Sequence, residues 1–226
     1  MAKPTLRVIP LGGLGEIGRN MLALEYDEQI VVIDAGLMFP EEEMLGVDLV
    51  LPDITYLVER KERVLAFLLT HGHEDHVGSL PYVLPRVNAP IYGTRLTLGL
   101  LKNKLREHKV LDSARLHEVK AGDRVDVGPF KVDFIHVAHS IPDGVALAIE
   151  TPVGVVVHTG DFKMDQTPAD GRPTDMARLS HYGDRGVLLL MSDSTNAERE
   201  GFTLSERVVG EAFQEIFARY GGIFFL

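Results

Sequence analysis

Residues 68–83 read LLTHGHEDHVGSLPYV, and His71, His73, Asp75 and His76 fall within six positions, directly after an apolar run. Three of the nine histidines are spent there, in a chain with no cysteine. Without thiolates, a transition-metal site must be built from His, Asp and Glu, a donor set that suits zinc or manganese. At an extended strand end, residues i and i+2 share a face, so His71 and His73 can meet one ion. Asp75 and His76 stand at the expected start of a helix and can turn toward a second. One ion takes about four ligands. Four side chains divided between two ions therefore leave places for other residues and for water.

Candidates for those places lie further along. His139 sits in VAHSIPDG and Asp161 in VVHTGDFK, each at the end of an expected strand. A carboxylate so placed could bridge two ions about 3.5–4 Å apart, and a metal lowers the pKa of bound water to about 7. The chemistry implied is hydrolysis of an ester, amide or phosphodiester. His136 and His158, three residues before His139 and Asp161, read as supporting or core residues. His108, His117 and His181 read as structural or solvated. Glu41, Glu42, Glu43 and Asp48 could help hold a hard cation such as Ca2+, although a solvated acidic loop is the favoured reading.

Strands are needed to position these groups, and the pattern supplies them. TLRVIPL, NMLALEY and QIVVIDAG open the chain as strands, and VLAFLLT (64–70) is a buried one. A helix is expected over 75–84, PIYGT is a short strand, and LTLGLLKNKL a helix. ARLHEVK, RVDVG, FKVDFIHVAH, VALAIET, GVVVHTGD and GVLLLMSD follow as strand-like pieces between Gly, Pro and Asp turns. This suggests a layered α/β fold with a mixed sheet. Near the end, Thr203-x-x-Glu206 matches a capping box, followed by apolar residues at helical spacing from Val208 to Tyr220. Gly221 and Gly222 should stop that helix, and IFFL begins a strand. Ending inside an apolar segment, the chain reads as truncated or as lacking a following domain.

GLGEIG (13–18), with Asp34 ending a later strand, matches the dinucleotide fingerprint on paper. The interval before that strand has no room for the required helix. The glycines are better read as letting the backbone pass close to something, such as an active site.

The 226 residues suffice for one large domain or one domain and the start of another. No apolar run approaches the length of a membrane span, and no secretory leader is evident, so a cytoplasmic protein is expected. A net charge of −10 argues weakly against non-specific nucleic-acid binding. Bound cations would reverse the local field, so a nucleic-acid enzyme remains compatible. The cations of residues 94–109 (Arg95, Lys102, Lys104, Arg106 and Lys109) read first as a solvated helix face.

His71, His73, Asp75 and His76, as H-x-H-x-D-H, resemble the signature of the metallo-β-lactamase superfamily, with Asp34, His139 and Asp161 matching its outlying motifs in order. The resemblance implies a four-layer αβ/βα sandwich with mixed sheets and the metals at one edge, and gives Asp34 the role of orienting the histidine loop. LGGLGEIGRNM, GLMFPEEEMLGVDLVLPDITYL, HSIPDG, HTGDFKMD and SDSTNAEREGFT narrow the likeness to the ribonuclease J family of the β-CASP nuclease group. This implies a domain over 1–204, incomplete, and the start of a β-CASP domain over 205–226, with the final histidine ligand beyond residue 226. It also implies two divalent ions, zinc or else manganese, held by His71, His73, Asp75, His76, His139 and Asp161. Asp75 and Asp193 are the implied catalytic carboxylates, Asp193 assisting proton transfer to the leaving group. The implied activity is 5′→3′ exonucleolytic, with endonucleolytic, hydrolysis of single-stranded RNA from a 5′-monophosphate end. A homodimer or homotetramer is expected of the full-length protein. The alternatives are a thioesterase- or lactamase-type metallohydrolase, and a metal-poor remnant that binds RNA without cutting it.

Overall fold

The computed structural model of the chain describes residues 5–220. Its first half forms β1 (Leu6–Gly12), β2 (Met21–Tyr26), β3 (Gln29–Ile33), the short helix α1 (Thr55–Val58), β4 (Val64–Leu68), the turns α2 (Glu74–Val77) and α3 (Leu80–Val83), β5 (Ile91–Thr94), α4 (Arg95–Glu107) and β6 (Leu116–Val119). These six strands make one sheet in sequence order, antiparallel from β1 to β3 and parallel from β3 to β6. The second half supplies β7 (Arg124–Val127), β8 (Phe130–His136), β9 (Val145–Thr151), β10 (Gly154–His158), α5 (Met176–Arg185), β11 (Leu189–Met191) and α6 (Arg207–Tyr220). Its sheet runs β11-β10-β9-β8-β7, antiparallel except for the β10–β11 pair.

Strand alternation assigns the layers, because successive side chains leave opposite faces of a sheet. On β3, Ile30 and Val32 pack under the helices with Leu98, Leu101 and Leu105 of α4. Val31 and Ile33 face the other way and meet Val132, Phe134, Leu147 and Ile149 of the second sheet. On β9, Ala146 and Ala148 turn outward with Val155 and Val157 of β10, against Tyr182 of α5. The result is the expected four-layer α/β/β/α sandwich with two mixed sheets. Strands buried on both faces read as continuous apolar runs, which is why VLAFLLT and QIVVI were legible.

Two local expectations are corrected, and one helix appears where none was expected. The helix expected over 75–84 is two short turns. The Ser79 N–H goes to the Ala35 carbonyl (2.9 Å) rather than into a helical ladder, and Pro81 lacks an N–H to continue it. Second, α5 had no sequence expectation. Its polar sequence buries only Tyr182, and Asp175 caps it by accepting the Arg178 N–H at 2.9 Å. Third, the Thr203–Glu206 capping box does not form. The α6 helix begins at Arg207, whose N–H donates to Ser205 Oγ (3.3 Å), and the Glu206 carboxylate pairs with Lys163. The strand expected over 223–226 and the Gly221–Gly222 stop lie outside the described residues. Among the described residues, no helix is long and apolar enough to cross a membrane.

The outer α5 layer is fastened by one buried carboxylate. Asp133 accepts from Arg178 Nη2 (2.8 Å) and from the Tyr182 hydroxyl, while its Oδ1 has no hydrogen-bond partner among the described residues. Burial, with the adjacent Asp133 carboxylate, pushes the Tyr182 phenol up to about 12. The folded chain thus keeps a proton that the unfolded chain loses near its ordinary value of 10. Stability should therefore fall as pH rises from 10 toward 12. Tyr182→Phe should cost about 1–3 kcal/mol at neutral pH and flatten that alkaline slope. Urea denaturation of both proteins across the alkaline range measures it, and an unchanged slope in the variant would assign it to other groups.

Candidate metal centre

At the edge of the sandwich, β4 gives way at Leu69 and Thr70 to the loop carrying His71 and His73. His139 follows β8, and Asp161 follows β10. The two sheets are joined here, since the Val145 N–H donates to the Thr70 carbonyl (2.9 Å). Two groups of donor atoms converge among the described residues: His71, His73 and His139, and His71, His76 and Asp161, each group within 4.8 Å. His73 Nδ1 lies 3.1 Å from His71 Nε2 and 3.3 Å from His139 Nε2. Asp161 divides its oxygens: Oδ1 is 3.3 Å from His76 Nε2, and Oδ2 is 3.7 Å from His139 Nε2. Asp75 Oδ2 lies 3.6 Å from the same His76 nitrogen.

The ring orientations are set from below by Asp34, which is buried and takes a left-handed φ of 57°. Its Oδ1 accepts the Thr70 N–H (2.8 Å), and its Oδ2 accepts the Thr70 hydroxyl and His76 Nδ1–H, both at 2.8 Å. With its proton committed to Asp34, Thr70 Oγ1 accepts His71 Nδ1–H at 3.0 Å. One carboxylate thereby fixes two ring orientations and points Nε2 of His71 and His76 toward the other donor atoms. Nitrogen lone pairs about 3 Å apart repel unless a proton or cation lies among them. The donor set therefore fits a divalent cation in each group.

The electrostatics agree for His71, His139 and Asp161. Burial, reinforced by the nearby His76, brings the His71 imidazole down to about 2. Burial also lowers His139. It opposes charge on His76 as well, but the Asp34 and Asp161 carboxylates outweigh it and raise that group to about 10. For Asp161, burial favours the neutral acid, yet its hydrogen bond to His76 and the surrounding imidazoles hold it below the usual carboxylate range. His71 and His139 neutral and Asp161 ionised are the protonation states that metal binding needs, whereas His76 holds a proton between the two carboxylates that an incoming cation must displace.

Sequence reasoning missed three supporting residues. Asn20 Nδ2 donates to the Asp75 carbonyl (3.1 Å) and to Asp75 Oδ2 (3.3 Å), and the Asn20 N–H donates to the same carbonyl at 2.9 Å. Thr70 is the proton relay described above. Gly36 passes so close that a Cβ there would stand 1.6 Å from the Asp75 carbonyl oxygen. The motif stretches LGGLGEIGRNM, GLMFPEEEMLGVDLVLPDITYL and LTHGHEDH contain all three, but only the fold shows what they touch.

The other candidates divide. Asp193 lines a cleft of about 570 Å³ together with the 12–18 glycine loop, Asp75, His76 and Asp161. Its Oδ1 also accepts the Thr195 N–H (2.8 Å) and hydroxyl (2.6 Å), so the turn role and the cleft role coexist. Gly13, Gly15 and Gly18 all have positive φ, so the loop bends over the cleft and no helix follows it. His158 lines the same cleft and accepts the Gly160 N–H at 3.1 Å. His136 points elsewhere, donating to the Arg172 carbonyl at 2.8 Å. Glu41, Glu42, Glu43 and Asp48 are all exposed and belong to neither converging group.

Comparison with known proteins places this geometry among relatives. Residues 14–197 match the model of the metallo-β-lactamase superfamily. The chain is 45% identical over 222 residues to "Ribonuclease J" of Helicobacter pylori, covering 98% of this chain and 32% of that protein. It is 46% identical over 228 aligned positions to "Ribonuclease J" of Thermus thermophilus (98% and 40%). It is 48% identical over 204 residues to "Ribonuclease J2" of Bacillus subtilis (90% and 37%). The chain thus spans 32–40% of the length of these relatives. A crystal structure of a protein of unknown function from Enterococcus faecalis superposes with a TM-score of 0.70 at 18% identity, covering 96% of this chain and 58% of that one. The metallo-β-lactamase fold protein YhfI of B. subtilis gives a TM-score of 0.50 at 17% identity, covering 72% and 64%. At such identities these two structures speak for the fold alone.

Two variants test the support beneath the ligands. Asp34→Asn should weaken metal affinity about 10–100-fold, the usual effect of removing a partner that orients a ligand. A chelator competition titration reads it, and unchanged affinity would dismiss the Asp34 relay. Gly36→Ala should destabilise the fold by about 1–3 kcal/mol or more, because the Asp75–His76 peptide must move. Thermal unfolding with and without added metal separates that cost from lost binding.

Proposed function

Because the chain belongs to the metallo-β-lactamase superfamily, we propose that it forms the metal-binding part of a two-metal ribonuclease that hydrolyses RNA phosphodiester bonds. The observation that carries this reading is the divided Asp161 carboxylate, one oxygen toward His76 and the other toward His139. The 45–48% identity to ribonuclease J proteins directs it to RNA. His71, His73 and His139 would hold one ion, Asp75 and His76 a second, and Asp161 would stand between them. When bound, zinc or manganese ions supply Lewis-acid stabilisation of negative charge and an activated water nucleophile.

The remaining work belongs to the chain. Asp34 and Thr70 keep the imidazole lone pairs aimed at the ions, and Asn20 holds Asp75 in place. Attack at phosphorus breaks the bond to a ribose oxygen, which must take up a proton. Asp193 would pass it, a role supported by its place in the cleft wall, with Oδ1 tied to Thr195 and Oδ2 free of hydrogen bonds among the described residues. The glycine loop provides a backbone wall along which a strand can lie without side-chain obstruction. We assign the chain's finer behaviour on the same basis: 5′→3′ exonuclease action on single-stranded, 5′-monophosphorylated RNA in the cytoplasm. Residues 1–204 are the metal-binding unit, and 205–226 open a further domain. Support for that boundary is the end of the family match at residue 197 and the exposure of Val208, Val209 and Ile216 on α6.

Elemental analysis of the purified chain should give close to two ions per chain, and His76→Ala should lose one of them together with cleavage of a 5′-monophosphorylated RNA. Asp193→Asn should keep the metal and lower kcat about 10²-fold or more, within the range for general acid–base groups. Two ions with no RNA cleavage, joined to hydrolysis of thioesters or lactams, would replace this reading with a small-molecule hydrolase.

A further inference from the structure

A second cavity of about 270 Å³ lies on the metal edge of the sandwich, beside the loop that carries His139. Its walls are the ends of β5 and β6, the start of α4, and Asp143 to Val145. The Val145 N–H binds the Thr70 carbonyl, immediately before His71. The 139–144 loop, with the candidate ligand His139 at one end and Asp143 and Gly144 at the other, therefore lies between the other metal ligands and this cavity, which shares no lining residue with the glycine-loop cleft.

Its lining is cationic in a chain that carries −10 overall. Arg95, Lys120 and Arg172 face it from three separate segments, and none of them forms an ion pair among the described residues. Elsewhere the chain pairs its arginines readily: Arg124 and Arg185 share Glu150, and Arg178 holds Asp133. Glu118 and Asp143 also line the cavity, so three cations face two carboxylates.

Buried groups hold this arrangement open. His136, only 7% exposed, donates from Nε2 to the Arg172 carbonyl and pins that residue at the mouth. Its other ring nitrogen has no hydrogen-bond partner among the described residues, although the side chain lines the cavity. The buried Thr94 hydroxyl donates to the Asp143 carbonyl (3.0 Å), lies 2.9 Å from Thr97 Oγ1 and makes no capping bond to α4. The first turn of α4 thus opens on the cavity with no side-chain cap, in the orientation that favours an anion.

We propose that this cavity is a phosphate subsite that grips the substrate strand one or more nucleotides from the cut bond. Arg95, Lys120 and Arg172 bind the phosphate, and the free His136 nitrogen accepts from a sugar hydroxyl. The inference rests on the RNA reading above. It adds a direction: the strand crosses the metal edge from the glycine-loop cleft to this cavity.

The test is fluorescence anisotropy of the chain with a labelled single-stranded oligoribonucleotide in EDTA, across a salt series. A parallel cleavage assay is run with metal added. Arg95→Gln/Lys120→Gln/Arg172→Gln should weaken binding about tenfold at low salt. It should also reduce the slope of log affinity against log salt by about 0.7 for each phosphate charge no longer neutralised. The charge-keeping variant Arg95→Lys/Arg172→Lys, with Lys120 left as it is, should retain most of the parent's affinity and show that the Gln variant's weaker binding is lost charge. Unchanged affinity and slope in the Gln variant, with RNA cleaved by the parent chain, would overturn the subsite and leave the ribonuclease reading intact. Weakened binding without any cleavage by the parent would keep the subsite as a polyanion site and sink the ribonuclease reading instead.

Discussion

The structure turns on the buried carboxylate of Asp34. It sits after β3 in a left-handed conformation and accepts from the Thr70 backbone, the Thr70 hydroxyl and His76 Nδ1. A buried carboxylate is tolerated only when such partners replace water. Those partners belong to the segment that follows β4. Satisfying Asp34 therefore clamps the histidine loop to the neighbouring strand and aims two ligand nitrogens outward. Without that clamp, nothing would aim the His71 and His76 rings at the donors of His73, His139 and Asp161.

Around the clamp the backbone is threaded tightly. Residues 34–37 run across α2, with Ala35 N–H bound to the His76 carbonyl (2.7 Å) and Leu37 N–H to the Glu74 carbonyl (3.1 Å). Asn20 joins the same knot by its N–H, its carbonyl and its side chain. Gly36 is required because the Asp75 peptide occupies the space of a Cβ. The Asp75 and His76 carbonyls are taken by the Asn20 and Ala35 N–H groups and the Ser79 N–H by the Ala35 carbonyl, which breaks 74–84 into two turns. The local helix is given up to hold Asp75 and His76 at the metal edge.

The sandwich makes such an edge available. Loops after β4, β5 and β6 of one sheet and after β8 and β10 of the other all emerge on the same side. Ligands from both halves of the chain can then meet without disturbing the apolar layers. The same edge carries the cationic cavity beyond the His139 loop, so binding and chemistry share one rigid support.

Much of this was legible in the sequence. The doubly buried strands announced themselves as apolar runs, and the fingerprint GLGEIG could be set aside because no helix fits behind it. The His71–His76 cluster, with no cysteine in the chain, pointed to metal through donor chemistry alone. Asp34, His139 and Asp161 could be named because they match motifs at strand ends. The sequence could not show that Asp161 divides its two oxygens between neighbours, because that depends on how β8 and β10 are placed relative to β4. Nor could it reveal Asn20 and Thr70 as supports, or single out Arg95, Lys120, His136 and Arg172 as one cavity, since those residues are scattered over almost eighty positions. Helix α5 escaped as well, because its stability comes from Tyr182 and Arg178 meeting Asp133 rather than from its own periodicity. Residue type and local spacing determined what chemistry this chain can perform. Long-range backbone pairing decided where that chemistry is assembled, because only closure of the two sheets brings distant side chains within bonding distance.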